Sequence, residues 1–269
     1  MISFTKKSLV AAHERYMPAF FRNGSFAPPS AVRFSTWLQE REWHREQLDD
    51  LHLDEKTVQT ALSGLARLNF ISRSAGILWA EIERLAHARG LQSLRVLDLA
   101  CGGGDTPMAL LRKARNSRLT LTISGCDLND CSLQYARNQA AKNGLQIEFF
   151  RCDAVTEPLP YGYDVVTCSL FLHHLRENDA LTLLARMAEA ARHLVLVNDL
   201  QRSPLNYAMV WLGSRLLSRS SVVRNDALLS MKNAFTTAEV SALAQAAGLK
   251  NFAVHTRFPA RLLLSWKKS

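Results

Sequence analysis

From Leu94 onward the chain alternates short apolar runs with segments whose apolar residues recur at helical spacing. That is the pattern of a parallel sheet whose strands are joined by crossover helices. Arg95–Ala100 reads as the first strand and Thr106–Arg115 as the first helix. Leu119–Cys126 alternates and is rich in β-formers, and a helix over Cys131–Asn143 is closed by Gly144. Ile147–Cys152 reads as a third strand and Tyr163–Ser169 as a fourth, introduced by the turn signal Pro158-Leu159-Pro160-Tyr161-Gly162. Leu181, Leu184, Met187 and Ala191 mark a helix over Asn178–Arg192. Val195-Leu196-Val197 is the apolar centre of a fifth strand, His193–Asn198. Thr236-Thr237-Ala238-Glu239 has the form of a capping box, and its helix runs to Gly248. Phe252–Thr256 and Leu262–Trp266 are strand-like, and Pro259 between them predicts a terminal hairpin with one antiparallel strand. The fold class is α/β.

Two regions lie outside this alternation. Residues 1–90 contain Glu40–Leu51, Lys56–Asn69 and Ala75–Arg89, all at helical spacing, with a break at Arg73–Gly76. They predict an N-terminal helical extension before a main domain over 91–269. Residues 199–235 form an insertion after strand five, and its centre Leu205–Leu217 is apolar and aromatic.

Composition narrows the class. A 48% hydrophobic and 21% charged chain is globular, and no apolar stretch reaches the length of a membrane span. The opening Met1-Ile2-Ser3-Phe4-Thr5-Lys6-Lys7 lacks a following apolar region and cleavage site, which argues against export. Cys101, Cys126, Cys131, Cys152 and Cys168 form no C-x-x-C pair. An odd count without a framework predicts reduced thiols in a cytoplasmic protein, and no metal. The net charge of +9 is concentrated in residues 201–232 and 250–269. Such a balance suits nucleic acid, an anionic membrane surface, an anionic small substrate, or simply a solvated face.

The chemistry starts at Val96-Leu97-Asp98-Leu99-Ala100-Cys101-Gly102-Gly103-Gly104-Asp105, where a buried strand opens into a glycine loop and then a helix. Glycines there let the backbone approach a ligand closely. Asp98 and Asp105 flank the loop and are poor company for a diphosphate. They suit a ligand carrying positive charge, such as an amino-acid ammonium or a sulfonium. Asp127 ends strand two, where an acid can accept hydrogen bonds from both ribose hydroxyls or cap a helix. Asp153 ends strand three as a further acid or a turn former. Ligands of open α/β sheets sit at this strand edge.

With these motifs the sequence resembles the class I S-adenosylmethionine-dependent methyltransferases over about residues 90–269. The resemblance implies a Rossmann-like seven-stranded sheet in the order 3-2-1-4-5-7-6, with an N-terminal helical cap and the 199–235 insertion as a lid over the active site. It implies that S-adenosylmethionine is held by Asp98, Ala100, Gly102, Gly104, Asp127, Leu128, Asp153, Ala154 and Ser169. In the family the acid at Asp153 meets the adenine amino group and the next backbone amide meets the ring. Cys168-Ser169-Leu170-Phe171-Leu172-His173-His174-Leu175 lacks the (D/N/S)PP(Y/F) motif of nucleobase amine methylation. It is similar to small-molecule methyltransferases of the ubiquinone and menaquinone type. The stretch Leu217-Ser218-Arg219-Ser220 through Arg224-Asn225-Asp226 and Ser230 resembles a bacterial methyltransferase subfamily whose members often occur near polyketide synthases, which implies a polyketide-tailoring role in secondary metabolism.

Methyl transfer to oxygen or carbon needs a base, and a histidine at this edge has the right pKa range. His173 and His174 are the candidates, on the expectation that both cannot face the pocket and that one packs instead. Asp199 is a further catalytic candidate. Asn198, Arg202, Tyr207, Trp211 and Arg224 are expected to meet the acceptor, with Lys232 as an additional cation. The acceptor is expected to be hydrophobic, aromatic (polyphenol- or quinone-like) and anionic or lipid-like, with peripheral membrane contact through Leu205–Leu217. Two other readings stand beside this one: an RNA or protein methyltransferase using the basic surface, and a non-catalytic binding module on the same fold.

Overall fold

The computed structural model describes residues 40–50, 53–217 and 221–268. The strands are β1 (Ser93–Leu99), β2 (Thr120–Asp127), β3 (Glu148–Arg151), β4 (Tyr163–Ser169), β5 (Ala191–Leu200), β6 (Ala253–Arg257) and β7 (Arg261–Lys267). They form one seven-stranded sheet in the order β3-β2-β1-β4-β5-β7-β6. β1 to β5 pair in parallel, and β7 runs antiparallel to both β5 and β6. The order and the single reversed strand match the sequence expectation.

The two faces of the sheet bury different helices, and the period of two along each strand sorts the residues between them. Leu97, Val166, Val195, Val197 and Leu264 face α5 (Glu177–Ala190) and α8 (Thr237–Ala246). Val96, Val165, Leu194, Leu196 and Leu263 face α2 (Ser74–Arg89) and α3 (Asp105–Arg115). The predicted capping box is present: Thr236 accepts from the Glu239 amide while Glu239 reaches back to the Thr236 amide. α4 (Asp130–Lys142) opens on Asn129, whose side chain accepts from the Ser132 amide. All five cysteines are free.

Residues 38–269 form one compact unit, so the helices before β1 share it with the sheet. Leu78, Ile82 and Leu85 of α2 are buried against the sheet face. α1 (Glu55–Ile71) starts on an Asp54 cap and ends at Ser72, and Arg73 then turns the chain with φ +53° into α2. The insertion after β5 forms α6 (Pro204–Leu217) and α7 (Ser221–Asn233). Among the described residues no helix is long and apolar enough to cross a membrane.

Two local expectations change. The described part of the predicted helix Glu40–Leu51, residues 40–50, is not an α-helix: it is a strap with a single 3-10 turn at Gln47–Asp49, and Leu51 lies outside the described residues. Its backbone finds tertiary partners in place of helical ones. The His44 amide donates to the Asn233 side chain, and the Gln47 and Leu48 amides donate to the Asp226 carboxylate. Such contacts lie far apart in sequence and are invisible to periodicity. The second change is that α5 stops at Ala190 and β5 runs over Ala191–Leu200, two residues earlier than expected at one end and two later at the other. The chain before residue 40, including Met1–Lys7, lies outside the described residues, as do Ser218, Arg219 and Ser220.

Candidate active site

β1 delivers the chain into a turn in which Ala100, Gly102 and Gly104 all have positive φ, at +50°, +50° and +74°. A Cβ on Gly104 would lie 2.9 Å from the Phe149 ring and 3.1 Å from Ala136, and one on Gly103 would lie 3.2 Å from Tyr135. The loop is thus packed by Tyr135 and Ala136 of α4 and Phe149 of β3, while Leu62 of α1 lies 3.5–3.6 Å from where a Cβ on Gly103 or Gly102 would sit. Asp127 fastens it: one carboxylate oxygen accepts from the Gly102 amide at 2.8 Å, the other from the Asn129 amide at 2.9 Å. Ala100 holds a left-handed conformation with a Cβ attached, which costs about 1–2 kcal/mol relative to a right-handed one. Ala100→Gly is expected to stabilise the protein by up to about 1 kcal/mol after the entropy of the added glycine is counted. Urea denaturation checks this, and no gain would mean that the turn carries no strain at Ala100.

Of the acids around the loop, Asp98 is buried and Asp105 and Asp127 are half-buried. Asp98 is 1% exposed and accepts from Thr167 Oγ1 at 2.6 Å. Burial pushes its pKa up to about 7, with the Asp105 and Asp127 carboxylates adding to the rise and the Thr167 hydrogen bond opposing it. Burial also raises Asp105, which accepts from Asn69 Nδ2 at 3.0 Å, and raises Asp127 despite its amide donors. The carboxylates here outnumber the guanidinium of Arg261 that acts on Asp105, so the site suits a ligand carrying positive charge. S-adenosylmethionine, with its ammonium and sulfonium and a sugar for Asp127, fits it.

Asp153 behaves differently. Its carboxylate accepts from the Val155 and Thr156 amides and from Thr156 Oγ1. These bonds hold the turn after β3, with Ala154 buried beside it. Leu128 is half-buried between Asp127 and the cap of α4.

Beyond β4 a 3-10 turn, Leu172–His174, carries the two histidines. His173 is 3% exposed, and its Nδ1 lies 2.5 Å from Asp199 Oδ1 while its amide donates to Asp199 Oδ2 at 3.1 Å. Burial opposes ionisation of Asp199, yet the imidazole beside it holds the carboxyl below the usual range. On the other side of the ring, Nε2 faces Glu46 Oε1 at 3.7 Å. The His174 ring lies 4.3 Å from that of His173 with the planes 37° apart, His173 buried and His174 half-buried. Glu46, His173 and His174 place one donor atom each within 4.8 Å of one another, a grouping of metal-ligand type that the sequence spacing did not suggest. Arg41 ties the strap over this turn by donating to the carbonyls of His173, Leu175 and Asn233, and Trp43 Nε1 donates to the His174 carbonyl.

Asn198 and Asp199 do not face the acceptor together. Alternation along β5 sends Asp199 to His173 and Asn198 to the opposite face, where its amide nitrogen donates to the hydroxyls of Ser74 and Ser169. Arg202 is also elsewhere. It is buried, paired with Glu239 at 2.6 Å and donating to the Ala234 carbonyl, so it anchors α8 and not a ligand. Arg202→Ala is expected to lower stability by about 3 kcal/mol, since it strands a carboxylate already engaged in a cap. Thermal melts check this; an unchanged melt would remove the pair from the stability account.

Tyr207 packs with Leu170 and Val210 against Leu200, Met231 and Ala234, forming an apolar wall beyond the ends of β4 and β5. Trp211 is 38% exposed, with the Arg215 guanidinium 4.3 Å above its ring. Arg224 and Lys232 are half-buried on α7, and burial lowers the pKa of Lys232. Sequence reasoning missed Glu46, Arg41, Asn69 and Arg261. Only Arg261 left a signal: a cation at the start of an otherwise apolar strand, on the edge where the parallel strands end.

Comparison with known proteins agrees with this geometry. Residues 96–193 match the methyltransferase domain family. The chain is 28% identical over 164 residues to a ubiquinone biosynthesis O-methyltransferase of Aeromonas salmonicida, covering 60% of this chain and 64% of that protein. It is 30% identical over 138 residues to the Vibrio cholerae protein of the same description, covering 49% and 53%. The chain thus spans between about half and two thirds of these relatives. Among solved structures it shares its fold with magnesium protoporphyrin IX methyltransferase from Synechocystis with bound S-adenosylhomocysteine. The TM-score is 0.52 at 18% identity, covering 74% of this chain and 83% of that one. An O-methyltransferase family 2 protein from Planctomyces limnophilus in complex with apigenin gives a TM-score of 0.50 at 21% identity, covering 65% and 50%. The glycine loop, the sheet order and these matches together show that this chain carries a class I S-adenosylmethionine-dependent methyltransferase domain, allied by sequence to small-molecule methyltransferases.

Proposed function

We propose that the protein methylates a hydroxyl oxygen of a hydrophobic, aromatic small molecule. The observation that carries this reading is the buried Asp199–His173 pair where β4 and β5 end, at the carboxyl edge of the sheet. The cofactor supplies an electrophilic methyl group on a sulfonium. Asp98 meets its ammonium, Asp127 its ribose, and Ala100, Gly102 and Gly104 the backbone side of the pocket. On the acceptor side, Asp199 keeps the His173 proton on Nδ1, which leaves Nε2 as a proton acceptor. The hydroxyl proton passes to Nε2, and the imidazolium so formed lies between two carboxylates, Asp199 and Glu46. The Glu46–Nε2 separation exceeds a hydrogen bond, so an oxygen seated beside both atoms reaches each.

In this reading residues 91–269 are the methyltransferase domain, the segment before them is a cap that also lends Glu46 to the site, and the 199–235 insertion is a lid. Leu170, Tyr207 and Val210 suit an apolar ring, and the exposed Leu205, Leu212 and Leu216 of α6 suit a lipid-like acceptor. Entry to His173 requires the strap over Glu46 to open. Support for an RNA- or protein-directed enzyme is weak, because Arg202 and Arg261 of the basic regions are internal.

The test begins with calorimetric titration by S-adenosylmethionine and S-adenosylhomocysteine, followed by transfer assays on apolar phenols and quinols with product mass detection. Binding of both ligands and an O-methylated phenol are expected, with activity unchanged after chelator dialysis. Methylated RNA or peptide in place of phenol would overturn the acceptor class. Loss on chelation, restored by added divalent ion, would replace the base with a metal on Glu46, His173 and His174.

A further inference from the structure

On the α2–α3 face of the sheet, the carboxyl edge carries a buried polar row. It runs from Asp98 on β1 through Ser169 on β4 and Asn198 on β5 to Arg261 on β7. The alternation that points Val96, Val165, Leu196 and Leu263 at this face puts these residues in register with them. The row ends in an acid on one side and a guanidinium on the other. Asn198 is fully buried, and its Oδ1 has no hydrogen-bond partner although Nδ2 serves Ser74 and Ser169. Arg261 is 5% exposed: Nη2 donates to Asn69 Oδ1 at 3.2 Å and Ser72 Oγ at 3.0 Å, while Nη1 is buried without a partner.

The residues carrying the idle acceptor and the idle donor both meet the elbow between α1 and α2, Asn198 at Ser74 and Arg261 at Ser72. Leaving either group unmade in a dry site is costly, so both point to a ligand that supplies the complement. Burial lowers the Arg261 pKa to about 10, against the pull of Asp199 and Asp105, and it remains charged at neutral pH.

We propose that Arg261 binds the α-carboxylate of the cofactor, with Asn198 Oδ1 accepting from the adjacent ammonium that Asp98 also faces. The inference rests on the cofactor reading above. It assigns recognition of the cofactor's amino-acid end to a residue of the terminal hairpin, 157 positions after the last glycine of the loop (261 less 104). Asn69 joins the two ends, since it also donates to Asp105 at the start of α3. A carboxylate at Nη1 would thus tie β7, α1 and α3 to one ligand.

The experiment measures binding of S-adenosylhomocysteine, of its decarboxylated analogue S-adenosyl-3-thiopropylamine, and of methylthioadenosine, which lacks the whole amino-acid end. Wild type is expected to prefer S-adenosylhomocysteine over the decarboxylated analogue by about 10- to 100-fold, the range of a charged hydrogen bond. Arg261→Gln is expected to abolish that preference and leave methylthioadenosine affinity unchanged. A purely structural arginine would weaken all three ligands alike, and that result overturns the proposal. So does a wild-type protein that does not discriminate against the decarboxylated analogue, whatever the variant does. Failure of wild type to bind any of the three sinks the cofactor reading itself, a different result from binding without discrimination.

Discussion

Replacing His173 by alanine is expected to lower kcat by about 10²- to 10⁴-fold, the usual contribution of a positioned base. Affinity for S-adenosylhomocysteine should stay within about twofold, because a group acting only on the acceptor proton contributes nothing to ground-state cofactor binding. Asp199→Asn is expected to come close to the same loss. An amide cannot hold the proton on Nδ1 as a carboxylate does, and the wrong tautomer leaves no acceptor at Nε2. The 2.5 Å contact between the two side chains makes them a unit, so the double variant should be little worse than either single one. His174→Ala should cost much less. Equal, mild losses in all three variants would mean that alignment alone carries the reaction and that His173 is not the base.

The second large effect concerns Asp98 and pH. Its folded pKa of about 7 stands above the unfolded carboxyl value of about 3.9. The folded protein therefore holds this proton more tightly than the unfolded chain. Its stabilising contribution is complete below about pH 4 and is lost as pH rises through about 7. Some three pKa units correspond to about 4 kcal/mol across that window. Ligand-free protein should melt lower at about pH 8 than at about pH 5, and Asp98→Asn should flatten that slope. Cofactor affinity should run the other way. An ammonium favours the ionised acid, so binding should strengthen between about pH 5.5 and 7 with release of a proton. Asp98→Asn should weaken binding at about pH 8 by about 10- to 100-fold and remove the pH dependence. A flat affinity profile in wild type would take Asp98 out of the cofactor site.

What the chain spelled out locally survived folding almost unchanged. The glycine loop, Asp98 and Asp127 were legible because strand, turn and acid are consecutive, and a ligand-binding turn needs its residues in that order. The capping box at Thr236–Glu239 was legible for the same reason. Glu40–Leu51 misled because helical spacing of apolar residues is a necessary mark of a helix, not a sufficient one. Its amides were claimed by Asp226 and Asn233, nearly two hundred residues on.

By itself the sequence determined the strands and helices from Leu94 onward, and the resemblance carried by its glycine loop and acids implied the sheet order and the class of cofactor. The elements follow from short-range periodicity, and the resemblance from motifs complete within a few residues. The tertiary structure alone decided which polar residues meet. It separated Asn198 from Asp199 across the sheet, gave Arg202 to Glu239, and brought Glu46 and Arg261 from opposite ends of the chain to the site. The physical reason is burial. A polar group removed from water must find its partner in space, and the partner's position in the chain carries no record of that need.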